Sequence, residues 1–186
     1  MKIIGITGSI ASGKTTVAHL MAGKKYPLFS ADKVVSQLYK NKKFTRLIVK
    51  KFKLKNKRNI KGQIRFLVKK NKKKLIMLEK IIHPAVRKKM KIFLTLKKKI
   101  LVLEIPLLIE SKLNRYFNKI IFVDAKKNLR LKRYLKTHND RTIFETLNKR
   151  QLSPIAKKKT CDFIINNNYS LAILKKNVKK IVKEYE

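Results

Sequence analysis

Short, nearly uninterrupted apolar runs alternate along this chain with longer stretches whose apolar residues fall three and four apart. Residues 2–7 (KIIGIT) open the series as a buried strand, and 14–23 follow as a helix. Residues 27–31 (PLFSA) read as a second strand and 32–39 as a second helix. From 41 to 96 the sequence is basic and poor in strand formers. Leu47, Ile48, Phe52, Phe66, Leu67, Leu75, Leu78 and Ile82 make helical stripes there. The His83-Pro84 pair interrupts that periodicity, and Pro84 suits the first position of a new helix. Further strands are expected at 100–105, ending before Pro106, at 120–123 and at 163–165. A helix at 128–136 lies behind the 120–123 strand. Residues 141–150 are polar, Pro154 starts a short helix, and 171–185 close the chain as a helix. Continuous rather than alternating apolar strands belong to a parallel sheet covered on both faces. With no internal repeat and no flexible linker, the pattern predicts one α/β domain over 1–186.

Charge changes this picture less than its size suggests. Lys and Arg number 50 against 10 Asp and Glu among 186 residues, a formal net charge of +40. Such an excess points first to nucleic acid. The basic residues are mostly lysine, however, and run along the whole chain without the aromatic-interleaved motifs of the RNA-binding modules. Abundant Ile and Asn beside few Gly and Pro suggest the codon usage of an AT-rich genome, with lysine filling solvated positions. Lys98-Lys99 and Lys157-Lys158-Lys159 are expected to be such faces. Exposed charges are screened within about 8 Å at physiological salt, so no specific nucleic-acid partner is expected. A 44% hydrophobic content excludes disorder, and no apolar run reaches the roughly 18 residues of a membrane span. The first strand begins at once, leaving no signal peptide, and Cys161 is the one cysteine. A cytoplasmic enzyme fits these features.

The chemistry concentrates between the first strand and the first helix. Gly8-Ser9-Ile10-Ala11-Ser12-Gly13-Lys14-Thr15, continued by Thr16, carries two glycines with four residues between them, followed by lysine and a hydroxyl residue. The glycines let the backbone wrap phosphates so that successive N–H groups point inward. Lys14 would reach the β and γ phosphates, and Thr15 would place its hydroxyl on Mg²⁺. The following helix aims a dipole end worth roughly half an elementary charge at the same anion. A Gly-rich turn that binds nothing is the bland alternative. Only five glycines occur in the chain and two stand here in register, which favours nucleoside triphosphate binding.

Acidic residues are scarce, yet Asp32, Glu104, Asp124 and Asp162 fall at the ends of expected strands. Ligands of parallel α/β sheets bind beyond those ends; helix capping is the structural alternative for Asp32 or Asp124. The Asn-Lys-x-Asp motif of GTPases is absent and the chain is short for a transporter ATPase. A helical insertion and late-clustered arginines fit a small-molecule kinase whose lid excludes water.

Six stretches extend this beyond the phosphate loop: GITGSIASGKTT (5–16), SADKVVSQL (30–38), LEKIIHPAVRKKM (78–90), LVLEIPLLIES (101–111), IIFVDAKKNLRLKRYL (120–135) and KRQLSPIAKKKTCDFIINN (149–167). In order and spacing the sequence resembles the dephospho-coenzyme A kinase family, which phosphorylates the ribose 3′-hydroxyl of dephospho-coenzyme A with ATP in the last step of coenzyme A synthesis. His83-Pro84 and Pro106–Glu110 discriminate most. The resemblance implies a five-stranded parallel P-loop sheet, an acceptor-binding region at 41–96, a lid at about 137–153, and ATP with Mg²⁺. It implies Lys14, Asp32 and Arg133 in catalysis, with Arg133 and Asn167 also binding ATP. Asp32, His83, Pro84, Arg87, Pro106, Leu107 and Glu110 are implied at the acceptor site. Departures also occur: Ser30 stands for the first aspartate of an Asp-Ala-Asp pattern, Asn168-Tyr169 replaces a glycine, and Leu147 stands for an arginine four residues before Gln151. Arg141 or Arg150 would substitute for the last. Another small P-loop kinase, of the nucleoside monophosphate or shikimate type, is the alternative enzyme, and a degenerate nucleotide- or RNA-binding protein the alternative outside enzymes.

Overall fold

One parallel sheet is built from β1 (Lys2–Gly8), β2 (Leu28–Ser30), β3 (Ile100–Glu104), β4 (Lys119–Asp124) and β5 (Phe163–Asn166), in the order β2-β3-β1-β4-β5. These strands come from a computed structural model describing residues 1–56 and 58–185. Between them lie the helices α1 (Lys14–Ala22), α2 (Ala31–Leu38), α3 (Lys42–Phe52), α4 (Ile60–Lys70), α5 (Lys72–Leu94), α6 (Lys127–His138), α7 (Arg141–Arg150), α8 (Pro154–Thr160) and α9 (Leu171–Lys183). No helix among the described residues is long and apolar enough to cross a membrane.

The chain divides into two compact units, one of Met1–Ser30 with the segment from Lys97 onward, the other Ala31–Leu96. In the sheet unit, Ile4 and Ile6 of β1 and Ile121 and Val123 of β4 bury one face against Val17 and Met21 of α1 and Leu174 and Val178 of α9. The register sets Ile6 beside both Glu104 and Ile121. The carboxyl ends of the three middle strands therefore open together, which is where a ligand of such a sheet binds.

In the helical unit, Phe44, Ile48 and Phe52 of α3 share a core with Ile64 and Leu78. Three asparagines punctuate it: Asn41, Asn59 and Asn71 each accept a backbone N–H, from Phe44, Gly62 and Lys74. A side-chain oxygen in that position satisfies a donor the helix itself cannot.

Three expectations need correction, and the polar stretch 141–150 gains an assignment. Pro84 does not start a helix; it sits inside α5, which continues to Leu94. An interior proline forfeits one hydrogen bond at a cost of about 3 kcal/mol. Helical periodicity resumes beyond it, from half-buried Ile81 and Ile82 to fully buried Met90, and packing outweighs the lost bond. Leu47 and Phe66 are not core: they are 42% and 58% exposed, while Ile48 beside Leu47 is fully buried. The polar stretch 141–150 is helical, started by Asp140, whose carboxylate accepts from Ile143 N–H, and pinned by fully buried Phe144 against Tyr134. The run Lys157-Lys158-Lys159 is not a solvated face. Lys157 is 0% exposed and pairs with Glu110 at 2.7 Å, and Lys158 pairs with Asp124 at 2.6 Å. A run of identical residues hides which of them points inward.

Candidate active site

Gly8 closes β1 with no room for a side chain, since a Cβ there would stand 2.6 Å from the Val123 carbonyl and 2.7 Å from the Ser12 hydroxyl. Ala11 and Gly13 take positive φ, 57° and 94°. For Gly13 a side chain would also run into the Asn167 amide. Ser12 N–H donates to the Ser9 carbonyl at 3.1 Å and tightens the turn. Gly13 then precedes α1 with no side-chain cap on the first helical N–H groups, leaving those donors for an anion. Lys14 is buried at 8% exposure, and its ammonium donates to the Ser9 carbonyl at 3.0 Å, across the loop.

Thr15 is exposed in the first turn of α1, and its hydroxyl donates to Glu104 Oε1 at 2.5 Å. Glu104 ends β3 at 1% exposure. A hydroxyl on the phosphate loop joined to an acid at an adjacent strand end is the donor set that P-loop enzymes offer a magnesium ion. Glu104 drew notice as a strand-end acid but not as a site residue. The signal for it was its place at the end of the nearly continuous apolar strand 100–105.

Several side chains hold the loop in shape. Gln151 Oε1 accepts from Ile10 N–H at 2.9 Å. Arg130, inside α6 and almost fully buried, donates through Nη1 to the Ile10 carbonyl at 3.3 Å and to Asn148 Oδ1 at 2.8 Å. Its Nε donates to the Ala125 carbonyl at 3.0 Å. Burial holds this guanidinium below its usual value, against the pull of Asp124 and Glu145, yet arginine remains charged. Asn167 Nδ2 donates to the Ser12 carbonyl at 2.8 Å, and Arg133 Nη2 donates to the Asn167 carbonyl at 3.0 Å. Arg133 Nη1 and Ser12 Oγ are buried with no hydrogen-bond partner among the described residues. An orphaned guanidinium donor next to a cradle of N–H groups fits a phosphate. Arg130 escaped the sequence reading because, three residues before Arg133 on the same helix, it looked like one more surface cation.

The remaining expected residues fall in two groups. In the sheet unit, the Pro106 carbonyl accepts from the Thr7 hydroxyl at 3.1 Å, and Leu107 is half-buried beside it. Glu110 Oε1 accepts from the Leu152 N–H at 3.1 Å and forms an ion pair with the Lys157 ammonium. Thr16 is exposed on α1, and Arg141 and Arg150 are exposed at opposite ends of α7. In the helical unit, Asp32 is exposed in the first turn of α2. On α5, His83 is half-buried and Arg87 exposed one turn further on, with exposed Pro84 between them. Residues 8–16, Glu104, Arg133 and Asn167 thus share one loop-and-strand-end cluster, while Asp32, His83, Pro84 and Arg87 belong to the other unit.

Comparison with known proteins gives a family and a fold. The family model described as dephospho-CoA kinase matches residues 2–172. The dephospho-CoA kinase of Bartonella henselae is 35% identical over 190 residues, covering 98% of this chain and 97% of the relative. That of Fusobacterium nucleatum is 34% identical over 187 residues, with 96% and 95% covered. Among solved structures, a Thermus thermophilus protein aligns with a TM-score of 0.78 at 27% identity, over 98% of this chain and 97% of its own. The dephospho-CoA kinase of Campylobacter jejuni aligns at 0.68 and 24% identity, over 100% and 97%. A shikimate kinase from Acinetobacter baumannii aligns at 0.57 and 12%, over 99% and 92%, a likeness of fold alone.

Proposed function

The chain belongs to the dephospho-CoA kinase family, and from that premise we propose that it transfers the γ-phosphoryl group of ATP to the ribose 3′-hydroxyl of dephospho-coenzyme A, giving coenzyme A and ADP. The observation that carries this reading is the phosphate loop over residues 8–15 with Thr15 joined to Glu104, in a chain related to such kinases over nearly its whole length.

The residues present suit Mg·ATP. Uncapped N–H groups at the start of α1, the buried Lys14 ammonium and the unpartnered Nη1 of Arg133 are donors for phosphate oxygens. Thr15 and Glu104 would hold the metal, which neutralises charge on the β and γ phosphates when bound. Asn167 keeps the loop closed from behind through the Ser12 carbonyl. Exposed Arg141 or Arg150 on α7 supplies a cation for a lid spanning about 137–153.

On the acceptor side, Asp32 takes a hydrogen bond from the 3′-hydroxyl and orients its oxygen toward the γ-phosphorus. The oxygen–phosphorus bond forms as the bond to the β–γ bridging oxygen breaks, and the hydroxyl proton leaves late to the carboxylate. The family resemblance implies contacts to the acceptor from His83, Pro84 and Arg87 in the helical unit and, separately, from Pro106 and Leu107 in the sheet unit. Arg87 suits its pyrophosphate, and apolar side chains suit its pantetheine arm. A cytoplasmic location goes with this reading, since ATP is held there. A coupled ADP-release assay offering dephospho-coenzyme A, AMP and shikimate separately tests it. Dephospho-coenzyme A should be turned over fastest, and faster turnover of either other acceptor overturns the assignment.

A further inference from the structure

We propose that Glu110 and Lys157 are positioning residues for nucleotide binding, acting on the phosphate loop through Gln151. Lys157 is fully buried on α8, where an ammonium is tolerated only beside a counter-charge. Glu110 supplies it at 2.7 Å, and the same oxygen accepts the Leu152 N–H at 3.1 Å. The pair therefore fixes the backbone at the junction of α7 and α8. Leu152 N–H shares a rigid peptide plane with the Gln151 carbonyl, so fixing one aims the other residue. Gln151 Oε1 in turn takes the Ile10 N–H at 2.9 Å, inside the phosphate loop.

The same segment reaches the loop from its other side. The Pro106 carbonyl accepts from the buried Thr7 hydroxyl, at the end of β1 just before Gly8. Residues 106–110 thus brace the loop at both flanks: directly through Thr7, and through Leu152 and Gln151 at Ile10. A loop that binds by aligned N–H groups gains from being held before the anion arrives. This rests on residues 8–15 being the nucleotide site, as proposed above.

The test uses the whole chain with three variants: Glu110→Met/Lys157→Met, which removes both charges and keeps the volume, Gln151→Ala, and their combination. ADP affinity, KM for ATP, KM for dephospho-coenzyme A and melting temperature are measured for each. The paired variant and Gln151→Ala should each weaken ADP binding and raise KM for ATP by roughly five- to tenfold, the size of one lost hydrogen bond. KM for dephospho-coenzyme A should stay within about twofold, and the combined variant should lose no more than either alone. Wild-type ADP affinity in Gln151→Ala overturns the proposal whether or not the paired variant folds. So does a loss confined to KM for dephospho-coenzyme A, which would make Glu110 an acceptor contact, or a melting shift with unchanged ADP affinity. Wild-type protein that binds ADP but phosphorylates no dephospho-coenzyme A overturns the proposed reaction and leaves this one standing.

Discussion

The Thr15 hydroxyl donates to the buried carboxylate of Glu104 at 2.5 Å, joining the first turn of α1 to the end of β3. Glu104 is a buried acid at the end of an apolar strand, where an unused carboxylate would be costly. We expect Glu104→Gln to keep the threonine contact, because an amide still accepts a hydrogen bond, but to lose the charge. Turnover should fall by about 3 kcal/mol of barrier, the range for removing one preorganised electrostatic group, and the Mg²⁺ concentration for half-maximal activity should rise. A Mg²⁺ titration identical to wild type would remove Glu104 from the metal site.

Lys14 crosses the loop to the Ser9 carbonyl from a buried position. Phosphoryl transfer depends on positioning and charge more than on covalent chemistry. Lys14→Ala should therefore leave the fold intact by circular dichroism and cost about 3–4 kcal/mol of barrier. Near wild-type turnover would rule the lysine out of phosphate binding.

The strands were legible because a parallel sheet needs continuous apolar runs, and the phosphate loop was legible because its glycines answer a steric demand visible in spacing. The chain around them was less so. Asn41, Asn59 and Asn71 set the helix starts of the second unit, but each is one Asn among many in this sequence. Pro84 looked like a boundary because local propensity alone stops a helix there, and only tertiary packing carries α5 through it. Arg130 and Lys157 were hidden by abundance. In a chain with 50 basic residues, a buried cation has the same letter as its solvated neighbours, and only its partners distinguish it.

Lys157 and Lys159 make that difference measurable. Lys157→Gln strands Glu110, which keeps some solvent contact, so the loss should be about 3 kcal/mol, the low end for a broken buried pair. That corresponds to a melting shift of roughly 6–12 °C. Exposed Lys159→Gln should change stability by less than about 0.5 kcal/mol, yet lower nonspecific RNA affinity and its salt slope. Equal melting temperatures for the two variants would contradict the buried pair.

Acid should loosen the β4–β5 edge. Burial alone would raise the Asp162 carboxyl. The Ile120 N–H at 2.8 Å and the Lys119 ammonium at 2.9 Å outweigh it and hold the group below its ordinary value. A depressed folded pKa stabilises the protein fully above the unfolded value, about 4 for aspartate. That stability is lost as pH falls through the lower folded value. Urea unfolding of wild type and Asp162→Asn should show a stability gap at pH 7 that closes between pH 4 and the acid limit of the experiment. A gap that stays constant to that limit would show the carboxylate charge to be irrelevant.

Asp32 decides between catalysis and helix electrostatics. The helix begins at Ala31, so Asp32 lies inside the first turn of α2 rather than at its N-cap. Its structural alternative is then attraction to the positive end of the helix, worth about 0.3–1 kcal/mol at an exposed site. Its proposed catalytic role is to take the hydrogen bond of the acceptor 3′-hydroxyl. A carboxylate is a weak base toward an alcohol, so in that role most of its effect would come from orienting the oxygen before a late proton transfer. Asp32→Asn keeps the size and a hydrogen-bond acceptor but removes the charge and the ability to take a proton. The variant should melt within a few degrees of wild type, bind ADP with wild-type affinity and lose most of its turnover, with KM for ATP unchanged. Retention of more than about a tenth of wild-type turnover, a barrier change under roughly 1.4 kcal/mol, would leave Asp32 with the helix and take it out of the reaction.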